Sequence, residues 1–497
     1  MEEKQDLYAQ RLEKLSRIRQ ASQEPYTYSY ARTHTVQQAY DEFEKQHEAQ
    51  PERTVRLAGR ITALRLHGKS AFADLKDDSG KIQLFFGLQD VGGDQYEFLT
   101  KLINVGDFLG VEGTIFTTRT GQVTVRVGSF LLLTKTLRPL PEKWHGLKDV
   151  EIRLRRRYLD LLANVETGNL FRRRSEIIRH IRGFLDARGY MEVETPMLHP
   201  IPGGASARPF ITHYNALDRD FYLRVAPELY LKRLLVGGFE KVYEINRNFR
   251  NEGVSNRHNP EFTMLELYEA YVDYEAMMEL VEKLVSFVVK TVLGKPNFTY
   301  QGNDINIEPP WPRVSFFEAI RRFADVDLEQ TSDSARARDL VAHLKLDLED
   351  SAGYGKICDE VLKSYVVPKM ISPTFLIDYP LELSPLAKGK RGSPRLTERF
   401  QPFVGGLEIG NAFSELNDPL EQRARFERQM QLRARGDEEA QTLDEDFITA
   451  LEYGMPPAGG LGIGIDRLVM LLTDSPTIKE VILFPQLRTV NHAIVEE

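Results

Sequence analysis

Apolar residues recur along this chain with different periods, and the changes of period divide it. Leu12, Leu15 and Ile18 are spaced as on one helical face, and a second helix is predicted from Val36 to Glu48, with Pro25 breaking the two. From residue 53 to about 140 the period falls to two. Val55–Thr62, Ala71–Leu75, Lys81–Phe86 and Val123–Val127 read as short strands, with turns at Asp78-Ser79-Gly80 and Thr120-Gly121. Five or so such strands predict an all-β OB-fold barrel, a platform where bases stack on aromatic rings and basic groups hold the backbone. Leu137-Arg-Pro-Leu-Pro is a proline-punctuated linker. The expected division is a helical extension over 1–50, the barrel over 51–140, a linker over 141–150 and a larger domain over 151–497.

In that larger domain helices and strands alternate. Phe171 to Arg188 is an amphipathic helix stopped by Gly189, followed by a strand over Met191–Pro196. Pro202-Gly203-Gly204-Ala205 is a close-approach loop, and a strand over Tyr222–Val225 leads through Pro227-Glu228 into a helix. Glu275–Leu293 is a helix whose buried face carries Met277, Leu280, Val281, Leu284 and Val288. Helices are expected between about 310 and 370, a strand at Thr374–Asp378, and a flexible basic loop at Lys388–Arg395. The sharpest alternation lies between Lys241 and Tyr274. Glu244, Asn246, Asn248 and Arg250 share one strand face, and Phe262, Met264, Glu266 and Tyr268 share one face of the next strand. A solvated hairpin face would carry Lys, Thr and Glu. Amides, an arginine, aromatics and carboxylates together suit a pocket instead.

Composition narrows the class. The chain has 497 residues, 42% hydrophobic and 28% charged, enough to bury large cores, and no apolar run spans a bilayer. No signal peptide is visible, and the lone Cys358, read as a buried small hydrophobe, fits a reducing cytoplasm. A net charge of −8 argues against indiscriminate nucleic-acid binding but allows local basic patches. Arg153, Arg155, Arg156 and Arg157, and Arg172, Arg173 and Arg174, are two such clusters, each either a solvated helix face or an RNA-facing or interface patch. Gly68-Lys69-Ser70 is not a P-loop ending, because the required earlier glycine is Ala63.

Phe249-Arg250-Asn251-Glu252, Arg257-His258-Asn259-Pro260-Glu261-Phe262-Thr263 and Glu266-Leu267-Tyr268 closely resemble motif 2 of the class II aminoacyl-tRNA synthetases, in the form of the lysyl-tRNA synthetases (subclass IIb). The helix–strand pair before them resembles motif 1, which forms the family's dimer interface. Gly459-Gly-Leu-Gly-Ile-Gly-Ile-Asp466-Arg467 resembles motif 3. The barrel segment is similar to the family's anticodon-binding domain. The resemblance implies an α+β chain, an OB-fold barrel followed by a catalytic antiparallel sheet flanked by helices. It also implies activation of L-lysine with ATP and transfer of the lysyl group to the 3′ end of tRNA(Lys), by a cytoplasmic homodimer with no membrane partner.

The same resemblance assigns residues. Arg250 and Arg467 would carry catalysis by gripping the α- and γ-phosphates of ATP; Glu252, His258, Asn259 and Phe262 would complete the nucleotide site, Phe262 by stacking. Glu266, Tyr268 and Glu415 would meet the lysine ammonium, with Glu228 and Gly204 near the α-amino group, and Asn411, between Glu408 and Glu415 in the sequence, would also bind lysine. Glu408 matches a Mg²⁺ ligand, whereas the family's second carboxylate is here Gln401. Arg65, Phe72 and Gln83 would contact anticodon bases, and Gln122 stands where the family often has Glu. Three other readings stay open: an aspartate- or asparagine-specific relative, a paralogue that lysylates a protein, and a non-catalytic RNA-binding regulator.

Overall fold

The computed structural model describes residues 2–45, 54–140, 147–253, 255–349, 352–436 and 439–488. The expected helix residues 46–48, the start of the barrel domain at 51–53 and the linker residues 141–146 fall outside these. The chain divides into two compact units between Lys148 and Asp149.

In the first unit, five strands close into a barrel in the order Thr54–His67, Ser70–Lys76, Lys81–Gly87, Val123–Thr134 and Phe108–Thr117. The alternation is strict in Ser70–Lys76: Ala71, Ala73 and Leu75 are buried, and Phe72 and Asp74 face outward. The segment is not all-β, however. Helices Leu88–Val91 and Gly93–Leu102 intervene between the third and fourth strands in sequence, with Val91, Tyr96, Leu99 and Leu102 buried in the barrel core. The run GlyGlyAspGln at 92–95 hides that helix from a period-two reading. The N-terminal helix, Glu2–Gln20, buries Leu15 and Ile18. Its Arg11 donates to Thr136 Oγ1 and to the carbonyls of Val105 and Arg138, so this face is a docking face.

The second unit is built on a nine-stranded sheet. Its order is Arg313–Ser315, Thr374–Ile377, Arg399–Val404, Gly410–Ser414, Ala458–Gly464, Glu261–Ala270, Lys241–Phe249 and Met191–Glu192, with Leu407–Glu408 pairing beside Arg399–Val404. The expected antiparallel sheet holds through the centre. Both edge pairs are parallel, because each edge strand is reached by a crossover and not by a hairpin. The expected strand Met191–Pro196 is only two residues long. The Val165–Asp186 and Tyr274–Leu293 helices cover the apolar face, on which Tyr243, Leu265, Leu267, Leu461 and Ala412 are buried.

Two other expectations change. Lys388–Arg395 is not a loose loop: Gly389–Lys390 pairs with Ser393–Thr397, Lys390 pairs with Asp378 at 2.6 Å, and Arg391 with Asp273 and Glu398. The arginine clusters are partly structural. Arg157 is buried, paired with Asp160 at 2.6 Å and donating to the carbonyls of Lys479, Ile482 and Leu483. Arg174 pairs with Asp466 at 2.6 Å. Arg173 is exposed. Cys358 is buried, and burial pushes its thiol up to about 12, as expected of an inert core cysteine.

Candidate active site

The polar face of the hairpin is buried. Glu244, Asn246 and Asn248 on one strand and Glu266 and Tyr268 on the other are all nearly inaccessible. Register explains how such a face can exist inside a sheet. Across four strands, Asn411, Gly462, Glu266 and Glu244 stand in one row, and Phe413, Gly460, Tyr268 and Val242 in the next. The glycine-rich strand contributes no side chain to either row, so a trough runs between Asn411 and Phe413 on one side and Glu266 and Tyr268 on the other. A Cβ on Gly460 would lie 1.9 Å from Glu415 Oε1 and 2.6 Å from Tyr268 Cε1, and one on Gly462 would lie 2.6 Å from Met264 Cε. The glycines are space for these groups.

One end of the trough is acidic. Tyr268 donates to Glu266 Oε1 at 2.7 Å. Glu228 opens the Glu228–Val236 helix and accepts from Lys232 Nζ at 2.6 Å; Glu415 Oε2 contacts the same nitrogen. Gly204, at φ +89°, brings the loop against the Cβ of Glu228 and Ala226. Burial, reinforced by the Glu228 charge, raises the Glu266 carboxyl to about 8. Burial and the same carboxylates keep the Tyr268 phenol protonated. Among the described residues Glu415 Oε1 and Glu266 Oε2 have no hydrogen-bond partner. Asn411 Oδ1 accepts from Arg399 Nε at 2.8 Å.

The other end is basic. The Arg250 guanidinium lies 5.1 Å from the Phe262 ring centroid, and its Nε has no partner. Burial lowers its pKa, opposed by Glu252 and Glu408; Arg467 and Glu266 are also within electrostatic reach. Arg467 donates to the Glu408 carbonyl at 2.8 Å, lies 3.6 Å from its carboxylate, and meets His258 Nε2 at 3.3 Å. Desolvation by its surroundings, then the Arg467 charge, lowers the His258 pKa and favours neutral imidazole. Asn259 is buried and donates to the Glu261 carbonyl at 2.6 Å, leaving Oδ1 unpartnered. Thus Arg250, Glu252, His258, Phe262, Glu408 and Arg467 gather at one end, and Gly204, Glu228, Glu266, Tyr268 and Glu415 at the other. Among the described residues no three acidic, histidine or cysteine side chains form a metal cluster. Gln401 Oε1 accepts from the buried Tyr379 hydroxyl.

Several contributors were not singled out in the sequence. Lys232 is the main one; its i,i+4 spacing from Glu228 was the available signal. Asp466, just before Arg467, accepts the Thr263 amide at 2.7 Å and ties it to Arg174. Arg224 and Thr195 fix Glu244, each at 2.7 Å. In the barrel unit, Arg65 pairs with Asp74 at 2.8 Å, Gln83 accepts from Thr124 at 2.9 Å, and Phe72 is outward, not core. Phe72 stands in an aromatic row, its ring 5.2 Å from that of Phe85, which is 6.3 Å from Phe116.

A catalytic sheet of this order, carrying a hairpin, a glycine-rich strand and two arginines over one trough, defines a class II tRNA synthetase domain. The family described as tRNA synthetases class II (D, K and N) matches residues 149–488, and the OB-fold nucleic acid binding domain matches residues 55–133. A protein of Moorella thermoacetica named lysine–tRNA ligase is 55% identical over 491 residues, covering 98% of this chain and 99% of its own. Proteins with the same name from Carboxydothermus hydrogenoformans and Syntrophomonas wolfei are 55% and 52% identical, covering 98% and 96% of this chain and 99% and 96% of their own. The chain belongs to the lysyl-tRNA synthetase family of class II.

Two outcomes follow from the trough. Gly460→Ala is expected to displace Glu415 and Tyr268 and to lower stability by about 1–3 kcal/mol, read by urea unfolding. Glu266 has a folded pKa above its unfolded one, so its contribution to stability is full below about pH 4.5 and lost as pH rises towards 8. Ligand-free Glu266→Gln should therefore lose less stability than the parent between pH 5 and 8, measured by thermal unfolding across that range.

Proposed function

We propose that this chain is a lysine–tRNA ligase, an ATP-dependent enzyme that forms lysyl-adenylate and passes the lysyl group to the 3′ end of tRNA(Lys). The single observation that carries the reading is the polarity of the trough: buried acidic groups at one end and two arginines at the other. That arrangement suits a cationic amino acid lying head-on to a nucleotide's phosphates.

In this reading the lysine carboxylate attacks the α-phosphate, a bond forms from carboxylate oxygen to phosphorus, and pyrophosphate leaves. Both reactants are anions, so positioning and cationic stabilisation do the work, with no enzyme nucleophile. Arg250 grips the α-phosphate and the lysine carboxylate, a bidentate task, while Arg467 holds the γ-phosphate beside His258. Phe262 stacks on adenine, and Glu252 and Asn259 read the base. Glu266, Tyr268 and Glu415 receive the ε-ammonium; Glu228, with the Gly204 loop, receives the α-amino group; Asn411 lines the trough between them.

Glu408 would be the protein's Mg²⁺ ligand. With Glu252 assigned to the base, Glu408 is the carboxylate beside the phosphate-binding arginines that would hold the ion, which would supply charge neutralisation at the phosphates. Gln401, engaged by Tyr379, adds no charge. The barrel would read the anticodon through Arg65, Phe72 and Gln83, stacking a base in the row formed with Phe85 and Phe116. The divisions at 1–50, 51–140, 141–150 and 151–497 are the functional segments of this reading. In this reading the chain is a homodimer; exposed apolar residues at Leu161, Val165, Met197, Leu198, Ile211 and Leu217 are the candidates for its covered surface. No helix among the described residues is long and apolar enough to cross a membrane; a cytoplasmic location is part of the proposed reading.

Lysine-dependent ATP–pyrophosphate exchange tests the proposal; exchange that ignores lysine, or responds to aspartate or asparagine, rejects it. Glu415→Gln should raise the lysine KM at least about tenfold while leaving the ATP KM near its parent value. Gln401→Glu should lower the Mg²⁺ concentration needed for half-maximal ATP binding, measured by isothermal titration, since a second carboxylate adds charge to the site.

A further inference from the structure

The trough's acidic end contains a cation of its own. Lys232 is fully buried, one turn along the helix from Glu228, and its Nζ contacts both Glu228 and Glu415. The nitrogen also lies 5.4 Å from the Phe413 ring centroid and 6.0 Å from that of Tyr268. The titratable groups around it are thus Glu228 on its own helix, Glu266 and the neutral Tyr268 on the hairpin, and Glu415 after the Gly410–Ser414 strand. Arg399 acts on Glu228 from further off, and Glu244 on Glu266.

Two carboxylates therefore contact one ammonium and a third, Glu266, lies within its electrostatic reach, a deficit of two positive charges if all ionise. Like-charged carboxylates crowded in a buried site cannot all stay ionised without a cation. Lys232 supplies that cation for two of them, yet it does not saturate them: Glu415 Oε1, pointing into the space that Gly460 leaves open, is unpartnered, as is Glu266 Oε2. Burial alone would lower the Lys232 pKa, and Glu228 and Glu415 more than offset it, so the group stays charged.

We propose that Lys232 is a resident ammonium that favours the ionised forms of Glu228 and Glu415 and aims them before the amino acid arrives, making it a positioning residue that sets specificity for a dication. The inference rests on reading this cavity as the lysine site. With Lys232 in place, the deficit left when all three carboxylates are ionised matches the two ammonium groups of L-lysine, whose arrival draws the proton from Glu266. A neutral side chain of similar length, such as norleucine's, leaves part of the deficit buried and is rejected. Without Lys232, Glu228 and Glu415 share a proton at neutral pH, and binding a second ammonium requires its removal.

Lys232→Met keeps the length and removes the charge, and the full chain is assayed by ATP–pyrophosphate exchange from pH 6.5 to 9. The expected result is a lysine KM raised about tenfold or more at pH 7, with the gap closing to about threefold or less by pH 9 as the carboxyls ionise. The ATP KM and the rate at saturating lysine should change by less than about threefold. A lysine KM within about threefold of the parent across the range overturns the proposal, as does a rise that is independent of pH and matched by the ATP KM, the mark of a merely structural pair. If Lys232→Met does not fold, Lys232→Met/Glu228→Gln removes one charge of each sign. A folded double variant whose lysine KM gap from the parent closes as pH rises supports the positioning role, and a gap unchanged across the pH range, or no folded protein, overturns it. Absence of lysine-dependent exchange in the parent removes the reading of the site itself, whereas an active parent with an indifferent Lys232→Met removes only the role of Lys232.

Discussion

Burying several carboxylates side by side is the constraint on which the catalytic unit is built. Each ionised carboxylate withdrawn from water costs several kcal/mol unless a cation or hydrogen-bond donors replace the solvent. Glu244 is answered by Arg224 and Thr195, and Glu228 and Glu415 by Lys232. Among the described residues Glu266 has only the Tyr268 hydroxyl, and its carboxyl rises to about 8; burial raises Glu228 and, more strongly, Glu415 as well, against the pull of Lys232. The incomplete answer is what leaves the trough receptive to a cation.

The backbone makes room for this cluster by omission. Gly460 and Gly462 stand opposite Tyr268 and Glu266 in an otherwise continuous sheet, and a single Cβ there would overlap the groups on the trough floor. The strand still contributes its full ladder of hydrogen bonds, so the sheet is unbroken where its side chains are missing. The other face of the same strands is conventional core, against the long helices that precede and follow the hairpin.

The basic end is held by a second network that joins all three segments resembling the class II motifs. Asp466 accepts the Thr263 amide from the hairpin and pairs with Arg174 from the long N-terminal helix of the unit, immediately beside Arg467. A helix arginine that sequence alone leaves as a candidate surface or RNA-facing charge thus fixes the start of the Ile465–Leu472 helix. That fixes the direction in which Arg467 leaves it. The two ends of the trough are therefore positioned by separate ion pairs, one behind each.

The order of residues alone determined four of the five barrel strands, all but Phe108–Thr117, with the alternating hairpin and the glycine-rich strand, because each is set by local periodicity and turn chemistry. It also showed that one hairpin face carries the wrong groups for solvent. The Gly93–Leu102 helix, the parallel sheet edges and the ordered Lys388–Arg395 hairpin were hidden, since glycine-rich starts, crossovers and ion pairs to distant residues have no local signature. Only the tertiary structure decided that Arg157 and Arg174 are internal, that Phe72 faces outward, and that Lys232 stands between Glu228 and Glu415. A charge's role depends on which opposite charge the fold brings within contact, and Glu415 lies far from Lys232 along the chain.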